Sequence, residues 1–143
     1  MEVSNYVLYT DGAYSSVRDR MGIALIFLKD GEFHLEYSKA IEGGTNNQAE
    51  LIAIIIALRM IKRPIHSLII KSDSEYCIGC ASLNWKRKKN IKLWNIFDKE
   101  YQRVSDLCPN ITFVHVRGHQ KNTSDDTKWN NRCDELAVKA YMV

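Results

Sequence analysis

The chain has 143 residues, of which 45% are hydrophobic and 26% charged, enough for a sizeable core of one ordinary globular domain (residues 1–143). The formal charge of +3 permits a polyanionic partner without demanding one. No apolar run approaches the ~18 residues of a membrane span, and Met1-Glu2-Val3-Ser4-Asn5 lacks the cationic and apolar regions of a signal peptide. The four cysteines are therefore expected to be reduced thiols, in a cytoplasmic or virus-encoded protein.

In chain order, Val3 to Thr10 reads as a first strand closed by Asp11, and Gly12 to Arg20 as a polar turn region. Gly22 to Leu28 is a strongly apolar second strand. Lys29-Asp30-Gly31-Glu32 has the Asp-Gly centre of a tight hairpin. Phe33 to Ser38 alternates with period two, as a half-exposed third strand should. Thr45-Asn46-Asn47-Gln48 matches a capping box, and Leu51, Ile54, Ile55, Leu58 and Ile61 follow at helical spacing until Pro64. Ser67 to Ser72 is a fourth strand delivering Asp73, and a helix through Tyr76 and Ile78 precedes the cationic Trp85–Lys92 segment. Leu93 to Val104 is amphipathic and puts Trp94, Phe97 and Tyr101 in the core. Pro109-Asn110 breaks that helix, Ile111 to Val116 forms a fifth strand, and a polar loop over 118–128 leads to a last helix over Asn130–Tyr141. This order predicts an α/β fold, a mixed five-stranded sheet with helices on its faces.

Four acids distant in sequence are placed to converge. Asp11 and Asp73 each follow an apolar strand; if those strands are adjacent, the two carboxylates meet at one sheet edge. Glu50 lies in the first two turns of its helix, and Asp134 is read as opening the last one. Taken singly, the first two acids also suit turns and the others suit helix N-termini. Together, crowded carboxylates repel unless cations intervene, and an all-oxygen set suits Mg²⁺ or Mn²⁺. Cys77-x-x-Cys80 with His115 and His119 mimics a zinc set, but the 34 intervening residues far exceed a finger's spacing, so small core thiols are the better account.

Five blocks carry a family resemblance: Tyr9-Thr10-Asp11-Gly12, Thr45 to Leu51, Ser72-Asp73-Ser74, Val116-Arg117-Gly118-His119, and Asn130 to Ala137. In order and over nearly the whole chain, they resemble type 1 ribonuclease H. The resemblance implies the RNase H-like fold, with strands 1–3 antiparallel and strands 4 and 5 parallel to strand 1. It implies an endonuclease that hydrolyses the RNA strand of RNA–DNA hybrids, leaving 5′-phosphate and 3′-hydroxyl ends, with two Mg²⁺ ions replaceable by Mn²⁺. Asp11, Glu50, Asp73 and Asp134 become catalytic and metal ligands, and His119 a mobile auxiliary in proton transfer or product release.

Thr45, Asn46 and Asn47 become substrate contacts, their short groups suited to reading 2′-hydroxyls across a wide minor groove. One of these amides could instead cap the helix. Trp85, Lys86, Arg87 and Lys88 form a candidate phosphate footprint, or simply a solvated charged face. The family's longer basic protrusion looks shortened here. Gly43 stands where an arginine is frequent, Glu75 where a neutral glutamine is, and the 120–129 loop is expanded, with Asp125 and Asp126 able to alter how His119 reaches the site. The chain is expected to act as a monomer, without a separate hybrid-binding domain or membrane partner. The competing readings are a non-catalytic hybrid-binding module and a junction resolvase or integrase-like nuclease on the same fold.

Overall fold

A computed structural model describes residues 4–143. Three consecutive strands, β1 (Asn5–Ser15), β2 (Arg20–Lys29) and β3 (Glu32–Glu42), form an antiparallel meander. The turn between β2 and β3 is the expected Asp-Gly: Asp30 and Gly31 have φ of +50° and +85°, the left-handed pair that matches strand twist. Helix α1 (Asn46–Met60) then crosses to β4 (Ser67–Ser72), which pairs parallel to β1. Helices α2 (Glu75–Ser82) and α3 (Ile91–Ser105) lead to β5 (Asn110–His115), parallel to β4, and α4 (Asp125–Met142) follows. The sheet order is β3-β2-β1-β4-β5, so the first strand is central.

Alternation along the strands splits the core in two. Leu8, Leu25, Phe27, Leu68 and Ile70 face the apolar sides of α1, α2 and α3, with Trp94 and Phe97 buried among them. Tyr9, Ile26 and Leu28 point the other way, onto Cys133, Trp129 and Leu136 of α4. Since β2 is covered on both faces, every residue from Met21 to Leu28 is buried, which explains its unbroken apolar run. As the edge strand, β3 exposes Phe33, Leu35 and Tyr37.

Three elements depart from the expected boundaries by more than two residues. Strand β1 runs on through the stretch read as a turn, because β2 pairs with it as far as Ser15↔Arg20. The backbone ladder does not require apolar side chains, so Ser15 belongs to the strand; Val3 lies outside the described residues. Strand β3 likewise continues to Glu42. Helix α4 starts at Asp125, within the expected polar loop: Ser124 accepts a hydrogen bond from the Thr127 amide, and Asp125 and Asp126 occupy the first turn, where acids are favoured. Asp134 therefore sits in the third turn and does not open the helix.

Candidate active site

The last β1–β4 pair is Thr10↔Ser72. Asp11 and Asp73 each follow by one residue, side by side where β4 stops and β1 continues along β2. Asp11 is thus inside a strand rather than at its end, and it is buried, at 4% exposure.

Gly12 brings in the third acid. A Cβ there would lie 2.3 Å from the Ala49 carbonyl carbon and 2.4 Å from the Glu50 nitrogen, so only glycine lets α1 approach this closely. The Gly12 amide donates to Glu50 Oε1 at 2.6 Å and Asp11 Oδ1 at 2.9 Å. One carboxylate oxygen each from Asp11, Glu50 and Asp73 fall within 4.8 Å of one another. Glu50 lies beyond the first helical turn, so the helix dipole is a weak reason for an acid there.

Burial pushes the Asp11 carboxyl up to about 7; the hydrogen bond with Glu50 opposes this, while the charges of Asp73 and Asp134 add to it. Burial first, then Asp11 and Asp73, holds Glu50 well above the usual carboxylate range. Asp134 is outside the tight three-acid group but close enough to act electrostatically on Asp11. Such a set is stable in ionised form only with compensating positive charge. An all-oxygen donor set with backbone support fits a hard divalent cation.

Two neighbours of Asp73 had no role assigned from sequence. Asn130 is 1% exposed and donates from Nδ2 to Asp73 Oδ2 at 3.4 Å, leaving its own Oδ1 buried without a hydrogen-bond partner among the described residues. A signal was available, since Asn130 stands four residues before Asp134 on the same helical face. Gly118 comes so close that a Cβ would meet Asp73 Oδ2 at 2.7 Å. His119 follows it in the β5–α4 loop, exposed and with φ of +55°.

The expected substrate contacts separate into distinct situations. Thr45 caps α1 by accepting from the Gln48 amide, whereas the Gln48 side chain turns away to Asn90, so only half of the capping box forms. Asn46 accepts from the Tyr14 amide, tying α1 to the β1 extension; Asn47 is exposed and makes no hydrogen bond among the described residues. Trp85 is 48% exposed, with its ring against Gly79. Lys86 and Lys88 are exposed.

Arg87, in contrast, is engaged internally. It pairs with both oxygens of Asp98, donates to the Cys80 carbonyl and lies 4.4 Å over the Trp94 ring. The cysteines are free and buried, and burial pushes Cys77 up to about 12. His115 contacts the Asp73 carbonyl oxygen, and no zinc set gathers among the described residues. Asp126 does not face His119 freely: its Oδ1 accepts from Lys71 Nζ at 2.7 Å and from the Tyr9 hydroxyl. Burial works to raise Asp126, but those two hydrogen bonds and the Lys71 charge outweigh it and hold the carboxyl low.

The RNase H family model matches residues 3–142. A ribonuclease H of Clostridium botulinum is 34% identical over 150 residues, spanning 94% of this chain and 93% of that protein. The ribonuclease HI of Synechocystis is 31% identical over 148 residues, spanning 97% and 89%. Among solved structures, LC11-RNase H1 in complex with an RNA/DNA hybrid is similar, with TM-score 0.75, 25% identity and coverage of 96% and 97%. The prototype foamy virus protease–reverse transcriptase shares the fold, with TM-score 0.74 and 24% identity, over 98% of this chain and 21% of that one.

Proposed function

The chain belongs to the ribonuclease H family, whose members are endoribonucleases, and we propose that it cuts the RNA strand of RNA–DNA hybrids at the Asp11, Glu50 and Asp73 cluster with divalent-metal dependence. The observation that carries this reading is the convergence of three carboxylate oxygens within 4.8 Å, where β4 ends beside the central strand β1. The relative solved with an RNA/DNA hybrid supports the substrate class.

Asp11, Glu50 and Asp73 would hold the cations, with Asp134 completing the set from α4. Mg²⁺ is the expected ion, two per site, with Mn²⁺ able to substitute. When bound, the ions supply Lewis-acid activation of the attacking water and neutralise charge on the scissile phosphate. The protein's own contributions are positional. The Gly12 amide fixes both Asp11 and Glu50, and Asn130 orients Asp73 through its amide. His119, on an exposed loop next to Gly118, is assigned the movement of a proton at the leaving oxygen or the release of product. Asn47 presents an uncommitted amide to the minor groove, and Asn46 positions the β1 extension beside it. Trp85, Lys86 and Lys88 are the contacts proposed along the backbone. Water-mediated in-line displacement of the 3′ oxygen leaves 5′-phosphate and 3′-hydroxyl ends.

The reading is tested with a hybrid labelled in either strand, run with Mg²⁺ beside single-stranded RNA, duplex RNA and duplex DNA, with end groups assigned on the products. RNA-strand cleavage of the hybrid alone, abolished by chelation, is expected. Cutting of duplex DNA or junctions with the hybrid untouched would overturn the substrate assignment, and chelator-insensitive cleavage would overturn the metal role.

A further inference from the structure

Helix α4 carries three polar residues on one stripe. Asp126, Asn130 and Asp134 stand four apart, one above the other on the same helical face. On the sheet, Tyr9 and Lys71 are register partners of β1 and β4, and Asp11 and Asp73 follow two residues later. Four helical residues advance roughly 6 Å and two strand residues roughly 6.6 Å, so each step along the stripe meets the next row of the sheet. Accordingly Asp126 bonds to Tyr9 and Lys71, and Asn130 to Asp73, while Asp134 acts on Asp11.

The helix is pinned on either side of the acids. Beyond them, Gly22 admits the Ala137 backbone so closely that a Cβ would lie 1.8 Å from its carbonyl oxygen. Before them, Lys71 Nζ and the Tyr9 hydroxyl donate to one and the same oxygen, Asp126 Oδ1. The Lys71 side chain is only 20% exposed, and its ammonium lies 5.6 Å from the Tyr9 ring centroid. The start of α4 also holds the His119 loop. Asn122 Oδ1 accepts from the Ser124 amide and from the Ser124 and Thr127 hydroxyls, and the Gln120 carbonyl accepts from Asn131 Nδ2.

We propose that Lys71 and Asp126 are positioning residues of the nuclease. Their ion pair, braced by the Tyr9 hydroxyl, sets where α4 sits along β1 and β4, and with it the reach of Asp134, Asn130 and the His119 loop; this role presupposes the metal-holding reading of Asp11, Glu50 and Asp73. The apolar contacts of Trp129, Cys133 and Leu136 fix the depth of α4 over the sheet, but such packing is non-directional and leaves sliding cheap. A shielded ion pair with a shared hydroxyl donor is directional and selects one register. Misplacing a reacting group by about 1 Å costs up to about a hundredfold in rate, so a helix register is worth defending. Bound to Asp126, the Lys71 ammonium is a committed cation and not a free contact for a phosphate.

The test uses the full chain carrying Lys71→Met, Asp126→Ala or both, with hybrid hydrolysis measured at saturating Mg²⁺. In each single variant kcat should fall about tenfold with KM within about twofold of the parent. The double variant should lose no more than about twofold beyond either single one, because both changes release the same contact. Lys71→Arg keeps the pair and should restore most of kcat. Tyr9→Phe, which keeps the ring and should fold like the parent, should lower kcat about threefold. Arg132→Ala frees α4 from Glu36 of β3 instead and should leave kcat intact. In metal-free protein, the NMR signals of the Asn130 side-chain amide and the His119 ring should move in Lys71→Met and Asp126→Ala but not in Arg132→Ala. Unmoved signals overturn the proposal, and so does an unchanged kcat. A raised KM with kcat intact would make Lys71 a phosphate contact, and an equal loss in Arg132→Ala would reduce the effect to general loosening; either result also overturns it. A parent chain that leaves hybrids uncut would defeat the functional reading alone, since the NMR signals still decide whether the pair places α4.

Discussion

At the scale of single residues, the site depends on two kinds of position, one electrostatic and one steric. Asp11 is buried among acids, so Asp11→Asn removes a charge that only a bound cation can justify. Turnover of the hybrid should fall by about a hundredfold or more, with thermal stability of the metal-free protein unchanged or raised. Near-normal turnover in a folded Asp11→Asn protein would refute the ligand role. Gly12 is the steric counterpart. Gly12→Ala puts a methyl into the α1 backbone at Ala49 and Glu50, which must retreat and carry the Glu50 carboxylate with it. The expected result is a loss of about 1–3 kcal/mol in denaturant unfolding together with a large loss of activity. Retained activity with lost stability would show that the Glu50 position is less demanding than its hydrogen bond from the Gly12 amide implies. The acids were legible in the sequence because each stands beside a strongly patterned element. The Gly12 contact and Asn130 were not, since close backbone approach and a buried amide leave no periodic trace in one sequence.

At the scale of elements, the same divide separates what was readable from what was not. Strands with apolar runs and the Thr45-capped helix α1 lie where periodicity puts them. The polar half of β1 and the first turn of α4 do not. Their order comes from partners remote in sequence: β2 across the ladder, and Lys71 and Tyr9 for Asp126. The cationic segment between α2 and α3 shows how a charge run can combine both roles. Arg87 links Asp98, the Cys80 carbonyl and the Trp94 ring, whereas Lys88 is exposed. Arg87→Ala should cost about 1–2 kcal/mol of stability, modest because the Asp98 partner is 52% exposed. Lys88→Ala should leave stability untouched, weaken hybrid binding, and lower the slope of log affinity against log salt by about 1. Paired unfolding and salt-titration measurements separate the two; a reversed pattern would exchange the structural and binding assignments.

At the scale of the whole molecule, the acids impose a pH dependence on folding that a metal should cancel. Unfolded, Asp11 titrates near its ordinary value of 3.8; folded and metal-free, it is pushed up to about 7, with Glu50 raised in the same direction. The folded state thus binds protons more tightly than the unfolded one between these values. That stabilisation is fully present below about pH 4 and is lost as pH rises through about 7. Asp126, held low, has the opposite sign but acts only at the acid end of this range and below. The melting temperature of the chelator-treated protein should therefore fall by several degrees from about pH 5 to about pH 8. Mg²⁺ competes with protons for the same oxygens, so its stabilising effect should be small at the lower pH and large at the higher. Calorimetry with and without Mg²⁺ at both values reads this directly, independently of catalysis. A metal-free melting temperature that rises over that interval would mean the carboxylates are already satisfied by the protein, and the reason for placing cations among them would be gone.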